Sequence, residues 1–475
     1  MNQKKIDILV VGEGITGLST AYWLKKRGLA VLVLSKDSDV GGTMKSIEDR
    51  GFLYETGANT ALETTPLFKD LVAGLHLEDE FIYANPEGKN RFILRNDMLL
   101  PLPLGPLSLL RTDLFSTKGK LRLLKEPLIG RAHNEESIAE FVSRRLGHEF
   151  LDYAIDPFVA GVFAGKAEQL SVRSAFPKLY ALEKNYGGLI KGMIWGVGER
   201  RQREEKAKDR AETFSFRSGM QTLPRALAES MRSEIIAGAR VTGIQQPKRT
   251  RVQSRRYIIE YLFKGKHHKI ETDYVVFATA AYDAAPIIRR LSPETAEVLD
   301  SIYYSPIVSI FLGYKREDIY HPLNGFGFLV PSKEKKNILG CLWNSSLFPS
   351  RAPKDHAAVN AFMGGARQPE LYEMSDAGIL KETTKALSSA MQISGKPVYW
   401  NLTRWRKSIP QYTIGYQRKI DALERFEQHF AGIVLTGNYR GGISVGDCVK
   451  NSYELAQSLA AKIILTSKSS ERNVL

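Results

Sequence analysis

The sequence predicts an α/β fold in which one doubly wound domain is assembled from the two ends and the middle of the chain. Two observations carry that expectation. A strand, a glycine-rich turn, a helix and a second strand follow one another at the N-terminus, which is a βαβ unit. Short apolar strands of similar character recur near 268–279 and 433–436, the latter just before a closing helix. At 475 residues the chain is long enough for two or three domains, so other modules are expected between these strands.

The elements follow in order. Residues 6–11 are apolar and β-branched, as in a parallel strand buried on both faces. Residues 15–27 have helical spacing and stop at Gly28, a natural C-cap. Residues 30–34 are a second apolar strand. Residues 98–104 are apolar but broken by Pro101 and Pro103, and Arg111, Lys118, Lys120, Arg122 and Lys125 follow. An amphipathic helix is expected over 135–146, with Asn134 as N-cap, Ile138, Phe141 and Val142 on one face, and Gly147 at its end. The mixed-charge stretch 199–212 reads as solvated. Residues 257–263 and 268–276 flank Lys264-Gly265-Lys266 as a hairpin. Strands are expected at 304–314, 326–330 and 433–436, and a last helix over 453–464.

Composition removes several classes. The apolar fraction of 43% and charged fraction of 25% exclude wholesale disorder. Two cysteines, Cys341 and Cys448, exclude a disulfide scaffold and fit a reducing, cytoplasmic setting. No Cys/His cluster has metal-ligand spacing. No uncharged apolar run reaches the roughly 18 residues of a membrane span. No secretory pattern precedes the first strand, and no internal repeat is evident. The 67 Lys and Arg against 52 Asp and Glu leave a net charge of +15, which suits an anionic membrane, an anionic substrate, nucleic acid or plain solubility. The basic cluster Lys248, Arg249, Arg251, Arg255 and Arg256 lacks the interleaved aromatics of a stacking surface, so no nucleic acid partner is expected.

Gly12-Glu13-Gly14-Ile15-Thr16-Gly17 fits G-x-G-x-x-G between a strand and a helix. Gly12 permits the turn, Gly14 lets backbone approach a pyrophosphate, and Gly17 lets helix and strand come close. The helix N-terminus then faces the phosphate charge. The second strand usually ends in an acid that binds the ribose hydroxyls, but here Ser35 and Lys36 stand there. A serine can serve the ribose without charge assistance, and Ser35-Lys36 also suits the 2′-phosphate of NADP. This segment therefore leaves FAD and a nicotinamide both open.

Further segments favour FAD. Val40-Gly41-Gly42-Thr43-Met44 and Gly51-Phe52-Leu53-Tyr54-Glu55-Thr56-Gly57-Ala58 resemble the flavin amine-oxidase-like superfamily. So does Leu435-Thr436-Gly437-Asn438-Tyr439-Arg440-Gly441-Gly442 leading to Val445-Gly446-Asp447. The resemblance implies a Rossmann-like FAD-binding domain. Its cofactor residues would be Gly12, Gly14, Ile15, Thr16, Gly17, Ser35, Lys36, Gly41, Gly42, Thr43, Gly57, Ala58, Asn59, Val241, Ala278, Trp405, Gly437, Asn438, Val445 and Asp447. Asp447 would open a helix on the pyrophosphate side, and the Val241 backbone would meet the adenine.

Within that superfamily the chain resembles the protoporphyrinogen oxidase family. The signatures are Asp156-Pro157-Phe158-Val159-Ala160-Gly161-Val162-Phe163-Ala164-Gly165, Leu170–Pro177, Ser215–Met220, Gly325–Pro331, Met363-Gly364-Gly365 and Ser408–Gly415, all in the family order. The resemblance implies three two-electron oxidations of a porphyrinogen to a porphyrin, with FAD accepting hydride and O2 reduced to hydrogen peroxide. It implies Arg91 at a propionate, Gly161 and Gly327 against the macrocycle, and Leu329 and Met363 as apolar walls. No general base is assigned; His133, His267 and His268 lie in polar or basic loops. The division expected is an FAD domain from 1–85, 208–285 and 428–475, a sheet-containing substrate domain from 86–92 and 286–427, and a mostly helical, membrane-contacting insertion over 93–207. Peripheral attachment at the cytoplasmic face of a membrane, a homodimer and hand-off to ferrochelatase are the implied partnerships. Coproporphyrinogen III is the nearest alternative substrate, an amine the next, and a basic scaffold without catalysis the last.

Overall fold

The computed structural model describes residues 6–195, 211–246 and 256–472. The stretch at 196–210 and most of the basic cluster, Lys248 to Arg255, lie outside the described residues. Five parallel strands form the nucleotide-type sheet, in the order Ile235–Ile236, Val31–Leu34, Ile8–Val11, Tyr274–Phe277 and Ile433–Leu435. Strands from the start, middle and end of the chain thus lie side by side, as their shared apolar character requires: the three central strands are buried on both faces, and the edge strand Ile235–Ile236 is half-buried. Ile15–Lys26 returns over this sheet and packs along the long C-terminal helix Val445–Arg472.

The hairpin is present as Tyr257–Phe263 and Lys266–Thr272, with Lys264 and Gly265 both at positive φ (48° and 73°). That is the primed two-residue turn whose twist suits a hairpin. The expected single strand 268–276 is two strands. The break at Asp273 carries the chain from the antiparallel hairpin into the parallel sheet, because one strand cannot serve both ladders.

The second sheet has seven strands, in the order Tyr399–Pro410, Tyr304–Lys315, His356–Gly364, Ile338–Leu342, Gly327–Leu329, Arg91–Arg95 and Met98–Pro101. All neighbours are antiparallel except Gly327–Leu329 with Arg91–Arg95. Residues 93–101, expected in the helical insertion, are therefore sheet. The prolines that argued against a strand sit at or beyond the open edge, where a missing N–H costs no ladder bond. Asp376–Met391 covers one face of this sheet with Ile379, Leu387 and Met391.

Between 106 and 195 the chain is mainly helical. The helix expected over 135–146 is Ile138–Arg145, and its cap is Ser137 rather than Asn134. Ser137 Oγ accepts from the Glu140 N–H at 3.1 Å while the Glu140 carboxylate accepts the Ser137 N–H at 2.8 Å. This reciprocal capping box satisfies more backbone than a lone asparagine would. Arg145 at the helix end is fully buried and pairs with Glu126 (2.9 Å, also fully buried) and Glu183 (2.6 Å). Glu126 also accepts from the Leu189 and Ile190 N–H groups, so one buried ion network joins three helical segments. Arg145→Ala leaves Glu126 buried without its cation and is expected to cost about 3–5 kcal/mol, read as a lowered midpoint in chemical denaturation.

Candidate active site

The C-terminal ends of the parallel strands converge on the glycine loop. The Gly12 N–H donates to the Leu34 carbonyl at 2.9 Å, and Gly41 pairs with Gly14 as an isolated bridge. A Cβ on Gly17 would lie 2.0 Å from the Gly12 carbonyl, so only glycine lets the helix start this close to the strand. A Cβ on Gly14, by contrast, would meet no atom within 4 Å. The outer side of the loop is open, and no side chain caps the helix that starts at Ile15. Its free N–H groups and the absence of an acid in its first turn fit a pyrophosphate.

The other predicted cofactor segments surround this loop. Gly42 lies 3.4 Å from Gly14 by its would-be Cβ, and Gly57 is pressed against the Thr43 carbonyl. The Ala278 carbonyl abuts Gly12, and the Gly437 turn abuts the Thr279 carbonyl. Tyr412 donates to the Asn438 carbonyl at 2.6 Å, and Ser452 to the Thr16 carbonyl at 2.9 Å. Val241 is buried beside Leu34. Trp405 donates its indole N–H to the Thr56 carbonyl at 2.7 Å. Asn59 accepts from both Asn344 (3.0 Å) and Asn360 (3.2 Å), stitching the cofactor side to the large sheet. Those two asparagines carry no motif and were not legible in the sequence.

Two predicted cofactor residues do other work. Lys36 pairs with Asp283, its ammonium 3.1 Å from the carboxylate. Asp447 stands in the first turn of the last helix rather than at its cap. Ser444 caps it, and the Asp447 carboxylate accepts from the Ser444 hydroxyl at 2.6 Å and its N–H at 3.2 Å. The S-x-x-D spacing is a capping box, which is the signal that was available.

The facing site lies on one face of the seven-stranded sheet. Directly opposed residues share a face and alternate along each strand. Arg91, Gly327, Leu342, Asn360 and Phe311 form one cross-strand row, and Ile93, Leu329, Gly340, Phe362 and Ser309 the next on the same face. Leu329 touches Gly161, whose Cβ would lie 2.5 Å from Cδ2, so a side chain at 161 would displace it. Arg91 is half-buried over the Phe326 ring at 5.1 Å, and burial pushes its pKa down. Among the described residues its guanidinium has no carboxylate partner and no hydrogen bond, so it can receive an anion.

Met363 is a correction. Alternation turns it to the opposite face, fully buried, where the Thr383 hydroxyl lies 3.1 Å from its sulfur. Phe362 occupies the site face instead, beside Ala160, Ala164 and Leu339. His133 and His267 are exposed, and His268 stacks on Tyr261, so none enters the site.

The signatures scattered through the sequence meet here. Arg367 bonds the Asp156 carboxylate at 2.7 Å and the Val330 carbonyl at 2.8 Å. The Ala366 N–H donates to the Ala164 carbonyl at 2.7 Å, and Gln411 donates to the Phe163 carbonyl at 2.7 Å. Helix Asp156–Phe163, which carries Gly161, is thereby fixed against the sheet.

This is a dinucleotide-type flavin fold with an apolar second face carrying one unpaired guanidinium. Residues 15–460 match the family model for flavin-containing amine oxidoreductases, and the chain belongs to that family. FAD is its cofactor, and it is an oxidoreductase. Within the family it falls among the protoporphyrinogen oxidases. It is 32% identical over 471 residues to protoporphyrinogen oxidase 2, chloroplastic/mitochondrial, of Arabidopsis thaliana, covering 94% of this chain and 92% of the relative. It is 26% identical to coproporphyrinogen III oxidase of Bacillus subtilis over 94% of this chain and 97% of that one. A solved chain from Exiguobacterium sp., assigned as a protoporphyrinogen oxidase, has the same fold, with a TM-score of 0.78 at 21% identity over 97% of this chain and 99% of that one.

Glu55 ends the strand that leads into Thr56-Gly57. Its carboxylate accepts from Ser46 (2.6 Å) and the Met220 N–H (2.9 Å), 4.0 Å from Arg351. Burial raises its pKa from 4.5 to about 7. The fold therefore favours the protonated form. That stability is fully present below pH 4.5 and is lost as pH rises through about 7. Melting temperatures of the wild type should fall across this window, and Glu55→Gln should flatten the fall.

Proposed function

We propose that the protein oxidises protoporphyrinogen IX to protoporphyrin IX by six electrons, with O2 as acceptor and H2O2 as product. The observation that carries the substrate is Arg91: a half-buried guanidinium without an acid of its own, at the end of an apolar face. A macrocycle with two propionates presents both an apolar body and an anion to match. Bound FAD supplies the two-electron chemistry. The chain's part is to lay the rings against the surface that the Gly161 backbone and the Leu329 side chain form together, orient a propionate on Arg91 and exclude water. The two site-face rows hold no carboxylate or imidazole, so no side chain is assigned to take the pyrrole proton. The three-part division of the chain is retained, with residues 93–101 moved to the substrate sheet.

Purified flavin-loaded protein should turn over protoporphyrinogen IX faster than coproporphyrinogen III, followed by porphyrin fluorescence. Faster turnover of the four-propionate substrate overturns the assignment. Arg91→Ala should raise KM with kcat and flavin content little changed.

We further propose peripheral contact with a membrane. Among the described residues no helix is long and apolar enough to cross one. Leu104, Leu107, Leu110, Leu121, Leu124 and Leu128 are all exposed, Leu128 by 87%. They flank exposed Arg111, Lys118 and Lys125, a pairing that suits acyl chains and anionic headgroups together. Buried Leu114 and Phe115, the latter stacked on Phe150 at 4.0 Å, anchor the ridge. Replacing Leu107, Leu124 and Leu128 by Gln should cut flotation with phosphatidylserine vesicles severalfold while leaving the melting temperature unchanged. Undiminished flotation contradicts the surface assigned.

A further inference from the structure

The acid that usually ends the second strand is absent, yet the structure holds a carboxylate at the same place. Glu13 is only 4% exposed, and Ser35 at the end of Val31–Leu34 is fully buried. The Gly12 N–H bonds the Leu34 carbonyl at 2.9 Å, which sets Glu13 directly beside Ser35. The Glu13 carbonyl in turn accepts the Gly41 N–H at 3.1 Å, so its position in the loop is fixed.

We propose that Glu13 has taken over the ribose-binding task of the missing strand-end acid, its carboxylate accepting the two hydroxyls of the adenosine ribose of FAD. Three observations support this. Among the described residues no Lys or Arg forms an ion pair with Glu13, and its neighbour Lys36 is committed to Asp283. Among those residues the Glu13 carboxylate draws only on its own backbone N–H and on the Ser35 hydroxyl, whose single proton is shared with the Asp37 carbonyl at 2.8 Å. A buried carboxylate so poorly supplied with donors is costly, and burial pushes its pKa up. A vicinal diol supplies two O–H donors at once, as charge-assisted bonds. The same geometry explains the serine: an acid at 35 would set two carboxylates against each other.

The inference rests on FAD as cofactor and not on which porphyrinogen is oxidised. Its test is binding to apoprotein, by flavin fluorescence and calorimetry, of FAD and of FAD whose adenosine ribose lacks the 2′- and 3′-hydroxyls. Wild type should prefer FAD over the dideoxy form. Glu13→Ala should weaken FAD roughly tenfold to a hundredfold and abolish that preference. Ser35→Glu alone should weaken FAD, whereas Ser35→Glu added to Glu13→Ala should restore affinity and preference, a reversal of sign that a merely structural glutamate does not produce. Glu13→Gln, which keeps the size, gives a second measure should the alanine variant melt early. Equal binding of the two flavins by wild type, or unchanged preference in Glu13→Gln, overturns the proposal.

Discussion

The cofactor site depends on one close approach. Helix Ile15–Lys26 begins so near strand Ile8–Val11 that any side chain at position 17 would strike the Gly12 carbonyl. That contact aims the uncapped helix N-terminus along the open side of the loop. Strand Tyr274–Phe277 and the Gly437 turn then close around the loop, because Tyr274–Phe277 pairs with the first strand and Ile433–Leu435 pairs with Tyr274–Phe277. Moving the helix outward by the width of a methyl group would separate the N–H groups from the phosphate position, and charge-assisted bonds fall off steeply with such displacement.

The substrate side is organised by a different rule. A long, mostly antiparallel sheet presents every second residue to one face, so Arg91, Gly327, Leu329, Asn360 and Phe362 are gathered from three strands by register. Helix Asp156–Phe163 packs against that face and is held there by Arg367 and Gln411 rather than by apolar packing alone. Several signature segments therefore act as fasteners. Tyr412 holds the Asn438 carbonyl and accepts the Gly442 N–H, and Tyr416 holds the Tyr439 carbonyl, so the Ser408–Gly415 region stabilises a cofactor turn.

How much was legible follows from the range of each interaction. The glycine loop, the hairpin turn and the apolar runs of the parallel strands are local, and each is legible in the sequence. The failures came where a distant partner decides. Ser137 is a local exception: it displaced Asn134 because Glu140, three residues on, could reply to it. Residues 93–101 became sheet because Gly327–Leu329 offered them a ladder. Lys36 was taken by Asp283, which is 247 residues away. Met363 and Phe362 differ by one position, and only the strand register says which one faces the site.

The sequence by itself determined the α/β class, the dinucleotide loop, the flavin family and the residue types of the site, because glycine conformation, strand patterning and motif order are written along the chain. The tertiary structure alone decided which residues share a face, which cation is left without an acid, and that the buried Glu13 carboxylate stands beside Ser35. Those depend on pairings across tens to hundreds of residues, and on burial, which determines what an unpaired charge costs. Arg91 and Lys36 are both cations beside a predicted site; only their partners distinguish them.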